Sequence, residues 1–398
     1  MIFATYWFIA FCLAFFPVYW LIRHPAWRFG WLLVASAVFH THFAGPAGVL
    51  PIVALGIIVY FAALTRDRRI CIAGIVICVL ALCFYKYTVF AVTSLLALIH
   101  PEWSTAAATG VQHALPAAAP LAISFFVFEF VHYLWDVKNG TVPMRNVFHF
   151  SIFSIFFPTL VAGPIKRYEE FIPSVNDAAR RVSPHDVAMG LIQIGFGFLK
   201  KLTADNLTLY IEYAQERFLT DMPIGTRWFV FGAIAMRILL DFSGYSDIAI
   251  GLARMMGIRI PANFNWPYLA VSIQDFWKRW HISLSTWIRD YVYIPLGGNR
   301  CGPLRRFSNA LIAFALCGLW HGPAWNFVVW GVYHGLGLGI CAAYRSIPCG
   351  VGQLTGKFFD SFKPAGWILT QLFVWFGWLL FFYPIPKAWQ MTVRLFVP

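Results

Sequence analysis

Apolar residues fall in blocks along the whole chain, at about 2–22, 29–43, 47–64, 70–98, 115–135, 148–163, 185–199, 227–256, 307–320, 325–343 and 365–383. Several approach the ~20 residues that an α-helix needs to cross a hydrocarbon layer roughly 30 Å thick. Others are shorter or interrupted by Pro and Gly, the pattern of re-entrant segments. A backbone in hydrocarbon must bond to itself, and runs of this length do so as helices. The pattern predicts an all-α polytopic membrane protein with about 11 transmembrane or re-entrant helices. No fixed-period repeat or low-complexity linker divides it, so a single membrane-embedded domain over 1–398 is expected.

One stretch departs from the blocks: "DFWKRWHISLSTWIRDYVYIPLGGNR", Asp275–Arg300. On a wheel of ~100° per residue, Lys278, His281, Ser285 and Arg289 share a side with Asp275, Arg279, Thr286 and Asp290. Phe276, Trp277, Trp280, Leu284, Trp287, Ile288 and Tyr291 take the other side. The spacing predicts one amphipathic helix over 275–292, lying along the membrane–water boundary and ending before Pro295. Anchoring tryptophans and snorkelling basic residues explain most of its composition. They do not explain His281, which the wheel puts at the seam, facing solvent and protein interior together.

A second histidine lies deeper. From Arg306 to His321 the chain rises about 22 Å if helical, and "HGP" then interrupts the helix, because proline disfavours helical backbone in the residue before it. Broken backbone at membrane depth is tolerated where protein or a wet cavity surrounds it, and an ionisable group there is a functional candidate. His334 reads instead as packing or hydrogen-bonding. A polar island, "RILLDFSGYSDIAIGLARMMG", brings Arg237, Asp241, Ser243, Tyr245, Asp247 and Arg254 into an apolar run. Its i,i+4 spacing pairs Arg237 with Asp241, and the island is expected to scaffold a polar cavity.

Composition sharpens this picture at three points. Only 12% of residues are charged against 60% hydrophobic, too few for a water-facing surface. The net charge of +13 fits basic loops on the inner face, and no nucleic-acid-binding pattern accompanies it. Arg23 and Arg28, the cluster Arg66, Arg68 and Arg69, and Lys138 with Arg145 alternate with turns lacking Lys and Arg, which sets the N-terminus outside. That terminus reads as a first transmembrane helix and not as a cleaved signal. The eight cysteines form no CxxC pair, so neither a metal site nor a disulfide framework is expected.

The segment from "DFSGYSDIAIGLARMMGIRIPANFNWPYLAVSIQDFWKRWHISLSTWIRDYVYIPLGGNR" to "GLWHGPAWNFVVWGVYHG" closely resembles the membrane-bound O-acyltransferases, in the bacterial alginate O-acetyltransferase branch. "PLAISFFVFEFVHYLWDVKNG" and "FFPTLVAGPIKRYEEF" match that branch upstream, in order. The teichoic-acid D-alanyltransferases are cousins that lack the "YIPLGGNR" ending. The resemblance implies a central funnel, a catalytic histidine at His321, and a second signature residue at His281 near the cytoplasmic side. Two departures touch partner contacts and glycan specificity: many alginate-type members continue beyond "FVWFGWLLFFYPIPKAW", and Tyr383-Pro384 replaces the usual arginine after that run.

The resemblance thus implies transfer of an acyl group, acetyl in the first instance, from acetyl-CoA or an acyl-carrier thioester. The acceptor is a hydroxyl of an extracytoplasmic glycan or an intermediate carrier. No bound cofactor or metal is expected. His321 is expected as general base, with His281 polarising the thioester carbonyl or positioning the donor. Lys278 and Arg289 are expected to attract an anionic donor, and Trp280, Ser285, Trp320, Trp325, Asp241 and Tyr245 to line the cavity. Expected partners are the lipid bilayer, a glycan, a cytoplasmic acyl donor and a periplasmic acetyl-transfer protein, with no nucleic acid. The expected location is the bacterial inner membrane. The rivals are D-alanyl or longer-chain transfer on the same fold, and, from another class, a polysaccharide-export component.

Overall fold

A computed structural model describes residues 2–114, 119–343 and 351–397, and among them no strand occurs. The start of the predicted apolar run at 115–135, and Cys349, lie outside the described residues. The described α-helices of seven residues or more are α1 Tyr6–Leu21, α2 Pro25–Thr65, α3 Arg68–Leu82, α4 Pro101–Ala114, α5 Ile123–Lys138, α6 Val147–Ile155, α7 Tyr168–Arg180 and α8 Pro184–Phe218. They continue as α9 Ile224–Met255, α10 Ile273–Arg279, α11 Ile282–Ile288, α12 Pro303–His321, α13 Trp325–Ala343, α14 Val351–Ser361, α15 Lys363–Phe382 and α16 Ile385–Arg394. Five described helices are long and apolar enough to cross a bilayer: α2, α3 with its continuation to Ile99, α8, α9 and α15.

Helix boundaries follow local chemistry. Two apolar runs merge into α2, which bends at Gly45 (φ 65°, ψ 167°); Pro46 has no N–H to continue the ladder and Gly45 alone tolerates that backbone. The basic cluster at 66–69 is a tight turn, with Arg66 left-handed and Asp67 capping α3 through bonds to the N–H groups of Arg69 and Ile70 (2.7 and 3.0 Å). The run predicted at 185–199 extends to Phe218 as α8. Lys200 and Lys201 do not stop it, because Lys201 pairs with Asp205 (2.6 Å) and Asp241 (2.5 Å). The run predicted at 148–163 ends early, since Phe156 leaves helical backbone (ψ 108°) ahead of Pro158.

Contacts group the chain into two units, Met1–Phe196 with Tyr245–Pro261, and Gly197–Gly244 with Ala262–Pro398. The first unit has an aromatic core in which Phe157 receives Phe11, Phe15 and Phe39 at centroid distances of 5.2, 5.3 and 5.6 Å. Lys166 and Glu129 form a buried ion pair (2.5 Å) within it. Arg28, also buried, donates to the carbonyls of Ala178 and Ala179 at the end of α7 (3.3 and 3.1 Å). A polar cavity of about 590 Å³ is lined by Lys166, Arg167, Glu170, Asp177, Arg181 and Arg259.

In the second unit, α12 and α13 form a hairpin whose backbones nearly touch. A Cβ on Gly318 would lie 2.1 Å from the Phe327 carbonyl oxygen, and one on Gly331 2.1 Å from that of Phe314. Paired small residues are how membrane helices approach this closely. The approach holds the last turns of α12, and with them His321, close against α13.

Candidate functional site

The site grows from residues 262–265, which run beside the junction of α10 and α11. Asn265 N–H donates to the Arg279 carbonyl and Ile282 N–H to the Asn263 carbonyl, both at 2.9 Å. These bonds satisfy main-chain groups that a helix break would otherwise leave unpaired. The helix expected over 275–292 is therefore broken. Trp280 is extended (φ −100°, ψ 128°) and His281 is left-handed (φ 42°, ψ 55°), a conformation that costs a non-glycine residue roughly 1–3 kcal/mol and clusters at functional sites.

The boundary-helix expectation is corrected with it. Phe276, Trp277, Trp280, Leu284, Trp287 and Ile288 are all buried inside the protein, so the aromatic face packs on protein and does not anchor in lipid. His281 is not at a solvent seam either, since it is 1% exposed.

Two histidines lie within ring-contact distance of one tryptophan. The His281 ring meets the edge of Phe242 (4.6 Å) and lies 6.3 Å from Trp320. Trp320 is 4.8 Å from His321, whose ring also meets Trp330 (5.2 Å) and Phe381 (5.1 Å). As the sequence predicts, α12 stops at His321 and Gly322 is extended (φ −166°, ψ 151°). Gly322 has no room for a side chain, since a Cβ there would lie 2.3 Å from the Phe327 ring. His321 is half-buried, a position from which an imidazole can exchange a proton with a substrate while aromatic walls limit water.

The other predicted residues divide. Trp280 is buried against Phe264 (5.0 Å) and Trp378 (4.8 Å), and supports the break. Ser285 donates to the Trp280 carbonyl (3.1 Å). Lys278 and Arg289 are exposed, Arg289 bonding Asp290 (2.7 Å), and neither shares the histidines' aromatic enclosure. Trp325 is 41% exposed at the start of α13. Asp241 pairs with Lys201 and not with Arg237. Arg237 instead donates to Thr208 (3.0 Å) and lies over Phe382 (4.7 Å). Tyr245 belongs to the first unit, stacked on Phe3 (4.6 Å). His334 is fully buried, as packing requires.

Sequence reasoning misses Asn263, Phe242, Trp330 and Phe381. All four lie within stretches quoted for the resemblance, but no spacing singles them out, because their contribution depends on what the chain folds beside them. Among the described residues no group of three or more His, Cys, Asp and Glu is arranged to hold a metal ion.

The family description "membrane-bound O-acyltransferase family" matches residues 141–347. The chain is 37% identical over 333 residues to the probable alginate O-acetylase of Azotobacter vinelandii, covering 81% of this chain and 62% of the relative. It is 32% identical over 396 residues to the peptidoglycan O-acetyltransferase of Helicobacter pylori strain 26695, covering 90% and 72%. The teichoic acid D-alanyltransferase of Bacillus subtilis strain 168 is 33% identical over 235 residues, covering 54% and 56%. The chain thus spans about three-fifths of the length of the alginate relative.

Proposed function

From the premise that this chain belongs to the membrane-bound O-acyltransferase family, we propose that it transfers an acetyl group from a cytoplasmic thioester to a hydroxyl. That hydroxyl belongs to an extracytoplasmic glycan or to an intermediate carrier protein. The observation that carries this reading is His321 at the broken end of α12, its ring enclosed by Trp320, Trp330 and Phe381.

A hydroxyl is a weak nucleophile at neutral pH, and a neutral imidazole that takes its proton during attack contributes typically 10²- to 10⁴-fold. His321 has that role here. As the last residue of α12 it sits at the negative end of the helix dipole, which favours the positive charge that develops on the ring. His281 serves the donor side. The aromatic enclosure limits hydrolysis of the thioester. The protein resides in a bacterial cytoplasmic membrane, with its N-terminus outside and its basic loops inside.

The test is consumption of acetyl-CoA, or of an acetylated carrier, by purified protein in nanodiscs supplied with a glycan acceptor. Turnover that is acceptor-dependent is expected. No consumption of either thioester removes the proposal, and preference for a D-alanyl thioester in competition moves it to the D-alanyltransferase reading.

A further inference from the structure

The hydrogen bonds around Asn263 decide which nitrogen of His281 carries a proton. The side-chain oxygen Oδ1 of Asn263 accepts from Ser283 N–H (3.2 Å) and Ser283 Oγ (2.7 Å), and lies 3.3 Å from His281 Nδ1. A backbone N–H can only donate, so the amide atom facing it is the oxygen and not the NH₂ group. Facing that oxygen, Nδ1 of His281 can only donate. A neutral imidazole with its proton on Nδ1 keeps a lone pair at Nε2.

The arrangement is rigid. Asn263 and His281 are each 1% exposed, and the main-chain bond from Ile282 to Asn263 ties the two segments together at 2.9 Å. His334, also in the second unit, is set the opposite way. The Trp277 indole, which is only a donor, points at its Nδ1 (3.4 Å) and so places the proton on Nε2.

We infer that Asn263 is a positioning residue that holds His281 in the Nδ1–H tautomer, so that Nε2 accepts a hydrogen bond from an amide N–H of the thioester donor's arm. The donor's part in this rests on the acyl-transfer reading; the tautomer does not. Of the two roles that the sequence allowed His281, polarising the carbonyl needs an N–H at Nε2, which the neutral ring lacks. Donor positioning is the one that remains.

The experiment pairs spectroscopy with kinetics on the full chain in nanodiscs. Imidazole ¹⁵N resonances are recorded for ¹⁵N-histidine-labelled wild type, and those absent from His281→Ala are assigned to His281. They should carry the Nδ1–H signature in wild type. They should move to the Nε2–H signature in Asn263→Ala and keep Nδ1–H in Asn263→Asp, which restores an oxygen acceptor. With acetyl-CoA as donor, Asn263→Ala should raise KM roughly tenfold with a smaller effect on kcat, and Asn263→Asp should recover most of it.

An Nε2–H signature in wild type, or an unchanged Nδ1–H signature in Asn263→Ala, overturns the inference. Where Asn263→Ala does not fold, the wild-type signature and that of Asn263→Asp decide the tautomer. An unchanged KM in Asn263→Ala overturns the donor-positioning role. Wild type with the Nδ1–H signature but no turnover of either acetyl-CoA or an acetylated carrier refutes the acyl-transfer reading and leaves the tautomer assignment standing.

Discussion

At the scale of single residues, environment separates three buried or half-buried histidines that composition cannot rank. His334 is enclosed by Trp277, Trp330 and Phe373 at 5.2, 4.9 and 5.5 Å, a core position. His281 is held by Asn263, and His321 ends a helix. His321→Ala should therefore lower kcat by about 10²- to 10⁴-fold, measured as glycan acetylation at matched membrane levels; activity near wild type would remove it from the chemistry. Lys166 is a different case, a cation 1% exposed against Glu129. Lys166→Met leaves the carboxylate buried without its partner and should destabilise by about 3–5 kcal/mol. Thermal melting in detergent should show a marked fall that the further change Glu129→Leu largely reverses, and equal melting of single variant and wild type would contradict the pair's contribution.

At the scale of elements, the informative cases are a helix that breaks and a hairpin that closes. The apolar–polar wheel over 275–292 is correct as a list of faces, yet it cannot register that 263–265 supplies main-chain partners at 2.9 Å and so permits a break at Trp280–His281. The hairpin α12–α13 is the reverse case: the break at Gly322-Pro323 is legible, while the backbone approach at Gly318 and Gly331 is not. Gly318→Val should separate the hairpin, displace His321 and abolish most acyl transfer while the protein still inserts. Gly195→Ala, where an added Cβ meets nothing within 4 Å, should leave activity unchanged. If Gly318→Val retained wild-type turnover, the hairpin's closeness would have no bearing on the site.

At the scale of the whole molecule, the proposed orientation rests on charge, and the turn at Thr65–Arg69 is its clearest marker. Green fluorescent protein fused after Asp67 should fluoresce, and alkaline phosphatase fused there should be inactive. Active phosphatase at that position would invert the proposed orientation and exchange the donor and acceptor sides.

What the amino-acid order determined by itself is the membrane class, the helical architecture and the break after His321, because each depends on local quantities: hydropathy over ~20 residues, and proline's effect on the residue before it. Only the tertiary structure decided that Asp241 pairs with Lys201, that the aromatic face of 273–288 packs on protein, and that His281 is left-handed with its Nδ1 on Asn263. Those outcomes depend on which distant carbonyl, carboxamide or ring the fold brings within hydrogen-bond or contact distance. For the buried His281 and Asn263 the partner that folding supplies outweighs local preference, because leaving a buried polar group unpaired costs about 1–3 kcal/mol.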